Sequence, residues 1–207
     1  MLCSVKPRPK LCPLATDKRR DTALLILNPQ IDICHPKGKA FVNGANDDMQ
    51  RLSAFITDNV SNIDKILISL DYNKTSMGSF LLKGTIGAAI IPAIELAVYG
   101  DFFAERNEEP FILQRQRLSW QERDSGTKAT ESFENTLKRF RKIIVAGEAK
   151  NLEILDFLEF WEKDYGLENV VLLKDCSSEL KGYEHNSKSL YNLRHSGLRV
   201  CNSEDVF

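Results

Sequence analysis

Ala23-Leu-Leu-Ile-Leu27, followed at once by Asn28-Pro-Gln-Ile-Asp-Ile-Cys-His-Pro36, decides how the chain is read. Five apolar residues in a row, with no polar alternation, suit a central strand buried on both faces. The stretch after it is turn-rich through Pro36, Gly38 and Gly44. Asn46-Asp47-Asp48 then offers N-cap chemistry for a helix with Met49, Leu52, Phe55 and Ile56 at helical spacing. The same alternation continues downstream. Strands are expected at Lys65–Leu70, Phe111–Leu113, Lys142–Ala146, Val170–Leu173 and Leu198–Cys201. Helices are expected at Ile90–Tyr99, Ser132–Arg141, Asn151–Tyr165 and Leu190–His195. Strands alternating with helices of this length specify βαβ units: a doubly wound α/β domain with a mainly parallel sheet and helices on both faces. In such a sheet the functional crevice lies at the carboxyl ends of the strands. The residues to weigh are therefore Asn28, Asp71, Arg115, Gly147 to Glu153, and Asp175.

Composition sets the bounds. The 207 residues include 28 Lys+Arg against 29 Asp+Glu, for a net charge of −1. That balance lacks the electrostatic footprint of a nucleic-acid binder. No apolar run is long enough to span a bilayer. The charge is uneven, because residues 1–20 hold six basic side chains and one acid. With Pro7, Pro9 and Pro13, residues 1–21 read as a flexible basic arm ahead of a domain over 22–207. Five cysteines, widely spaced and without a CxxC pair, give neither a disulfide framework nor a zinc signature. Reduced thiols in a cytoplasmic protein are expected.

Several stretches taken in order resemble the isochorismatase/nicotinamidase superfamily of cysteine hydrolases. Asn28–Cys34 is similar to its first-strand motif, and Gly44-Ala-Asn-Asp-Asp-Met49 to the helix start that follows. Leu70-Asp-Tyr-Asn73 with Ser79-Phe80 resembles its metal-site strand, and Gly84-Thr-Ile-Gly87 the next loop. Arg106 with Pro110, ahead of Arg115, resembles the approach to the family lysine. Val145-Ala-Gly-Glu-Ala149 resembles the nucleophile loop, and Val171–Asp175 and Gly197–Val200 the last two strands. The resemblance spans about residues 22–207 and implies the isochorismatase-like hydrolase fold.

It also implies roles that these residues do not fill. In the family, a cysteine thiolate at a helix start attacks an acyl carbon, an aspartate takes the thiol proton, and a lysine orients the pair. Those positions hold Glu153, Asn28 and Arg115. Asn28 cannot take a proton at neutral pH, and Arg115 will not give one up. Glu153 is a poor acyl nucleophile, because a mixed anhydride is less stable than the amide it would replace. Two readings stay open: a satisfied polar cluster where a triad would stand, or a carboxylate at Glu153 that activates water. Glu148-Ala149 falls on the oxyanion loop, where the family has a cis peptide. The metal-ligand positions are occupied by Asp71, Asn73 and Met77, a set that makes no zinc or iron site. No metal or other cofactor is expected, and Asp71 is expected to cap a loop or bond backbone N–H groups. Cys34 and Cys176 read as buried thiols, His35, His185 and His195 as surface residues, and Asp32 as a structural carboxylate. Trp120 is left between lining a pocket and covering the core. The expected partners are a small-molecule ligand and, through the resemblance, a second copy or a related subunit, with no nucleic acid and no membrane.

Overall fold

The computed structural model describes residues 21–73, 79–116, 120, 128–182 and 190–207. The basic arm lies outside these residues up to position 20, as do Met77 and His185. Six strands form one sheet in the order β3-β2-β1-β4-β5-β6. They are β1 (Thr22–Leu27), β2 (Lys65–Tyr72), β3 (Phe111–Gln116), β4 (Lys142–Gly147), β5 (Val170–Leu173) and β6 (Arg199–Cys201). Every pairing is parallel, so the sheet is wholly rather than mainly parallel.

The apolar run of β1 explains the two-layer cover. Leu24 and Ile26 point to one face, against the helix Ala45–Asp58 and the helical segment 92–106. Ala23, Leu25 and Leu27 point to the other, against the helices Lys128–Leu137, Leu155–Tyr165 and Leu190–His195. All five side chains are buried, as both faces of a central parallel strand require. No helix among the described residues is long and apolar enough to cross a membrane.

Some elements depart from the sequence expectation. The helix at 45–58 is capped by Gly44 in the left-handed region (φ 99°), with no side-chain cap bond. Asp48 turns inward instead and pairs with Arg51. The short helix expected at 90–99 runs on to Arg106, through a wide π turn at Leu96–Phe102. The helix expected to reach Arg141 ends at Leu137. β2 and β3 extend further than their apolar cores, so Asp71 and Arg115 lie within strands rather than past them.

This last point places the site. Asp71 and Arg115 are direct cross-strand partners, and Leu27 pairs with Gly147 across β1 and β4. β1 lies between β2 and β4, so the strand order reverses there and opens the crevice that such sheets use for ligands.

Candidate functional site

Asn28, Asp71, Arg115 and Glu153 form one hydrogen-bonded chain across the carboxyl ends of four elements. Asn28 follows β1 with φ 49°, a left-handed conformation that Asn tolerates better than most residues. Its Nδ2 donates to Asp71 Oδ2 at 3.1 Å. A single guanidinium nitrogen of Arg115 donates to Asp71 Oδ1 at 2.9 Å and to Glu153 Oε2 at 3.1 Å. The other side of the guanidinium stacks on the Trp120 ring, 3.9 Å from its centroid. Trp120 itself is buried in an aromatic cluster with Phe133, Phe157 and Phe160, so it covers the core beneath the arginine. Burial, then the charge of Asp71, push the Glu153 carboxyl well above the usual carboxylate pKa, against the pull of Arg115. Asp71 thus has a different task from the expected one: its side chain is the bridge between Asn28 and Arg115.

The loop after β4 carries both glutamates. Gly147 has φ 122°, and a Cβ there would stand 2.0 Å from Leu27 O, so only glycine lets the two strand ends lie this close. The Glu148-Ala149 peptide is cis. The turn at Lys150–Ile154 is a π turn, closed by Ile154 N–H donating to Ala149 O at 3.3 Å, and it sets Glu153 just before the helix Leu155–Tyr165. Glu148 is fully buried and accepts from Ser178 N–H at 3.1 Å. Burial and hydrogen bonding with Asp48 raise its pKa well above the usual value, while Ser178 N–H and Lys150 act the other way.

Both glutamates border a cavity of about 310 Å³. Its polar lining comes from Asn28, Glu148, Glu153 and Lys39. Ile33, Phe41, Phe80, Leu81, Leu152 and Leu180 supply most of the apolar wall. Because Asn28 Nδ2 is committed to Asp71, the remaining Asn28 Oδ1 is an acceptor, buried and without a partner. The mouth carries Lys39, exposed, with its ammonium donating to Ser79 O at 2.6 Å.

Solved structures of similar fold include hydrolases. A putative isochorismatase hydrolase from Oleispira antarctica superposes with a TM-score of 0.66 at 16% identity, covering 93% of this chain and 98% of that one. The nicotinamidase of Bacillus subtilis gives 0.66 at 13% identity, over 88% and 99% of the two chains. The zinc-bound pyrazinamidase of Pyrococcus horikoshii gives 0.62 at 14% identity, over 88% and 99%. The chain has the isochorismatase-like hydrolase fold. No protein-family model and no curated protein matches the sequence.

Within this isochorismatase-like fold, the expected triad positions come together: Asn28, Arg115 and Glu153 are linked through Asp71. The oxyanion-loop residues Glu148 and Ala149 border the same cavity. Of the metal positions, Met77 lies outside the described residues, and Asp71 and Asn73 are engaged by other groups. Asp71 already accepts from an arginine and an amide, and Asn73 Nδ2 donates to Phe80 O at 3.1 Å. Among the described residues no three His, Cys, Asp or Glu side chains converge on a common point. Cys34 is buried below the cavity, its thiol 3.6 Å from Asn28 O, and burial together with Glu148 pushes its pKa well up. Cys176 is likewise buried and its pKa raised. Both are therefore thiols rather than thiolates at neutral pH. His35 and His195 are exposed.

Two contributors, Gln30 and Asp48, escape a reading by sequence pattern, while Asp32 takes the structural place expected of it. Gln30 is fully buried: Nε2 donates to Asp71 O (2.9 Å) and Ala88 O (3.0 Å), and Oε1 accepts from Asp71 N–H (2.9 Å). It pins the first loop to β2, and its one signal is an amide two residues beyond a buried strand. Asp32 accepts from Leu81 N–H at 2.7 Å, holding the cavity wall, and Gly87 leaves it room, since a Cβ there would lie 2.3 Å from the carboxylate. Asp48, which reads as a cap, is instead the partner of Glu148.

Proposed function

We propose that this chain binds a small molecule in the cavity at the β1–β4 crossover and performs no cysteine-dependent acyl transfer. One observation carries the reading. Among the described residues, no side chain lining the cavity is a cysteine, serine, threonine or histidine, and at the expected nucleophile position Glu153 is held by Arg115. Acyl transfer from an amide through a thiol or hydroxyl nucleophile needs such a group beside a base, and a carboxylate in its place would have to form a mixed anhydride less stable than the amide. The fold neighbours include nicotinamidases and a pyrazinamidase, so nicotinamide and pyrazinamide are the substrates to test. The wild-type chain should turn over neither. The triple variant Asn28→Asp, Arg115→Lys, Glu153→Cys should gain hydrolysis if the cavity has kept a productive shape. Turnover by the wild type that disappears in Glu153→Gln would overturn the reading.

That result would support a second function, hydrolysis of a C–N or related bond with Glu153 activating water. What favours it is that Glu153 borders the cavity and holds its proton more tightly than an ordinary carboxyl, as a general acid or base does. Against it stands Arg115, whose one nitrogen is already shared between Asp71 and Glu153.

A further inference from the structure

We infer that the occupant of this cavity is an uncharged molecule with a hydrocarbon body of one or two rings, an inference that rests on the reading of the cavity as a ligand site. Of the thirteen described residues that border the cavity, nine are apolar, among them Ile33, Phe41, Phe80, Leu152 and Leu180. The four polar ones present little to a ligand. Glu148 is 0% exposed, its carboxyl turned to Ser178 N–H and Asp48. Asn28 has its Nδ2 on Asp71 and its Oδ1 buried. Lys39 is exposed at the mouth, with its ammonium on Ser79 O. That leaves the Glu153 carboxyl, on a side chain 10% exposed, with Oε2 accepting from Arg115. Burial and the neighbouring Asp71 favour a proton on it, so it meets a ligand as a neutral group.

A charged ligand would give up its water inside such a space for little return. Among the described lining residues, a carboxylate would meet a cation only at the mouth, on Lys39, and an ammonium would meet only buried or protonated carboxyls. Burial of apolar surface is the driving force that remains. An apolar cavity of about 150 Å³ holds a benzene. This one, at about 310 Å³, has room for a second ring.

The wall is also set before a ligand arrives. Leu81 has φ 53°, a left-handed conformation unusual for leucine. It is fixed there by its N–H donating to Asp32 Oδ2 at 2.7 Å and by its carbonyl accepting from Asn73 N–H at 3.0 Å. Leu180 is held by the Asn151 side chain, whose Oδ1 accepts from Leu180 N–H at 2.8 Å and whose Nδ2 donates to Leu180 O at 3.0 Å. These bonds keep two apolar residues from closing into the space, so a ligand gains apolar contact without first ordering the wall.

Calorimetric titration of the intact chain with four molecules of similar size, ethylbenzene, benzylamine, phenylacetate and nicotinamide, tests this. Ethylbenzene should bind about tenfold or more tightly than each of the others, with a negative heat-capacity change. Leu180→Trp, which fills part of the cavity, should weaken ethylbenzene by about tenfold or more while circular dichroism reports an unchanged fold. Leu152→Trp serves in its place if that variant does not fold. Equal or tighter binding of any of the other three, lost in Leu180→Trp, would overturn the inference and leave the cavity reading standing: phenylacetate would point to an anion on Lys39, benzylamine to a cation, nicotinamide to a polar amide. Ethylbenzene binding that survives both variants would lie outside the cavity and overturn the inference. No binding of any of the four would overturn the cavity reading and this inference together.

Discussion

Two buried glutamates, Glu148 and Glu153, stand on one loop at one cavity, yet their charges are managed differently. Glu153 faces Asp71 from β2, and Arg115 from β3 donates to both carboxyls from a single nitrogen. That arginine is itself buried, its side chain 10% exposed, and stacked on Trp120. Glu148 faces Asp48 from the 45–58 helix, but Arg51 pairs with Asp48 and donates to Asp175 O rather than reaching Glu148, and its side chain is 48% exposed. Glu148 relies on Ser178 N–H and on a proton. The first pair is built around a buried cation, while the second has its cation at the surface. Burial and the neighbouring Asp48 carboxyl favour a proton there in the cation's place. Burial raises both glutamates well above the ordinary carboxyl pKa, so the contrast lies in the cation: buried and shared between two carboxyls at Glu153, exposed at Glu148.

Gly147→Ala should break both at once and have the largest effect. The new Cβ would stand 2.0 Å from Leu27 O in a backbone conformation that alanine resists. A loss on the order of 4 kcal/mol is expected, read as a drop in Tm of about 8–16 °C. A shift of under about 3 °C would mean that the loop is free to move away from β1. Next comes the contrast between the arginines. Arg115→Met strands two buried carboxyls and should lose about 3 kcal/mol, toward the lower end of the range for broken buried pairs because Glu153 can take up a proton. Arg51→Met should lose below about 1 kcal/mol, since its pair is half in water. Equal losses in urea titrations would erase the distinction between the two sites.

How much of this the sequence carried differs by element. The strands were legible because buried parallel strands are apolar without interruption, and Ala23–Leu27 and Val170–Leu173 end within a residue of their apolar runs. The convergence of Asn28, Arg115 and Glu153 was legible through the order of the motifs around them. The role of Asp71 was not. It depends on the register that sets Asp71 opposite Arg115, and strand register over a separation of 44 residues leaves no local mark. Asp48 misled because acids near a helix start usually cap it, whereas here Gly44 takes that place and the carboxyl turns toward Glu148. The helix at 92–106 outran expectation because its apolar spacing changes phase at the π turn, which no 3.6-residue pattern follows.

The effect that is most informative about the second pair carries the opposite sign. Asp48 Oδ2 is buried, and no N–H or hydroxyl donates to it. A protonated Glu148 can fill that gap, and so can the amide of Glu148→Gln, which keeps an oxygen for Ser178 N–H. The pKa of Glu148 is raised in the folded chain above its ordinary 4.5. Its contribution to stability is therefore fully present below that value and is lost as the pH climbs through the folded pKa. Glutamine does not titrate. The variant should match the wild type in acid and exceed it by about 1 kcal/mol once the pH has passed the folded pKa of Glu148, a gain of about 2–4 °C in Tm. Arg51→Met should leave this pH-dependent gap in place, because the missing donor at Oδ2 is not supplied by Arg51, which pairs with Oδ1. A gap between Glu148→Gln and wild type that is already present at about pH 4 and stays constant to about pH 8 would mean that Glu148 holds no proton in the folded chain, and that both carboxyl pairs are governed by their arginines after all.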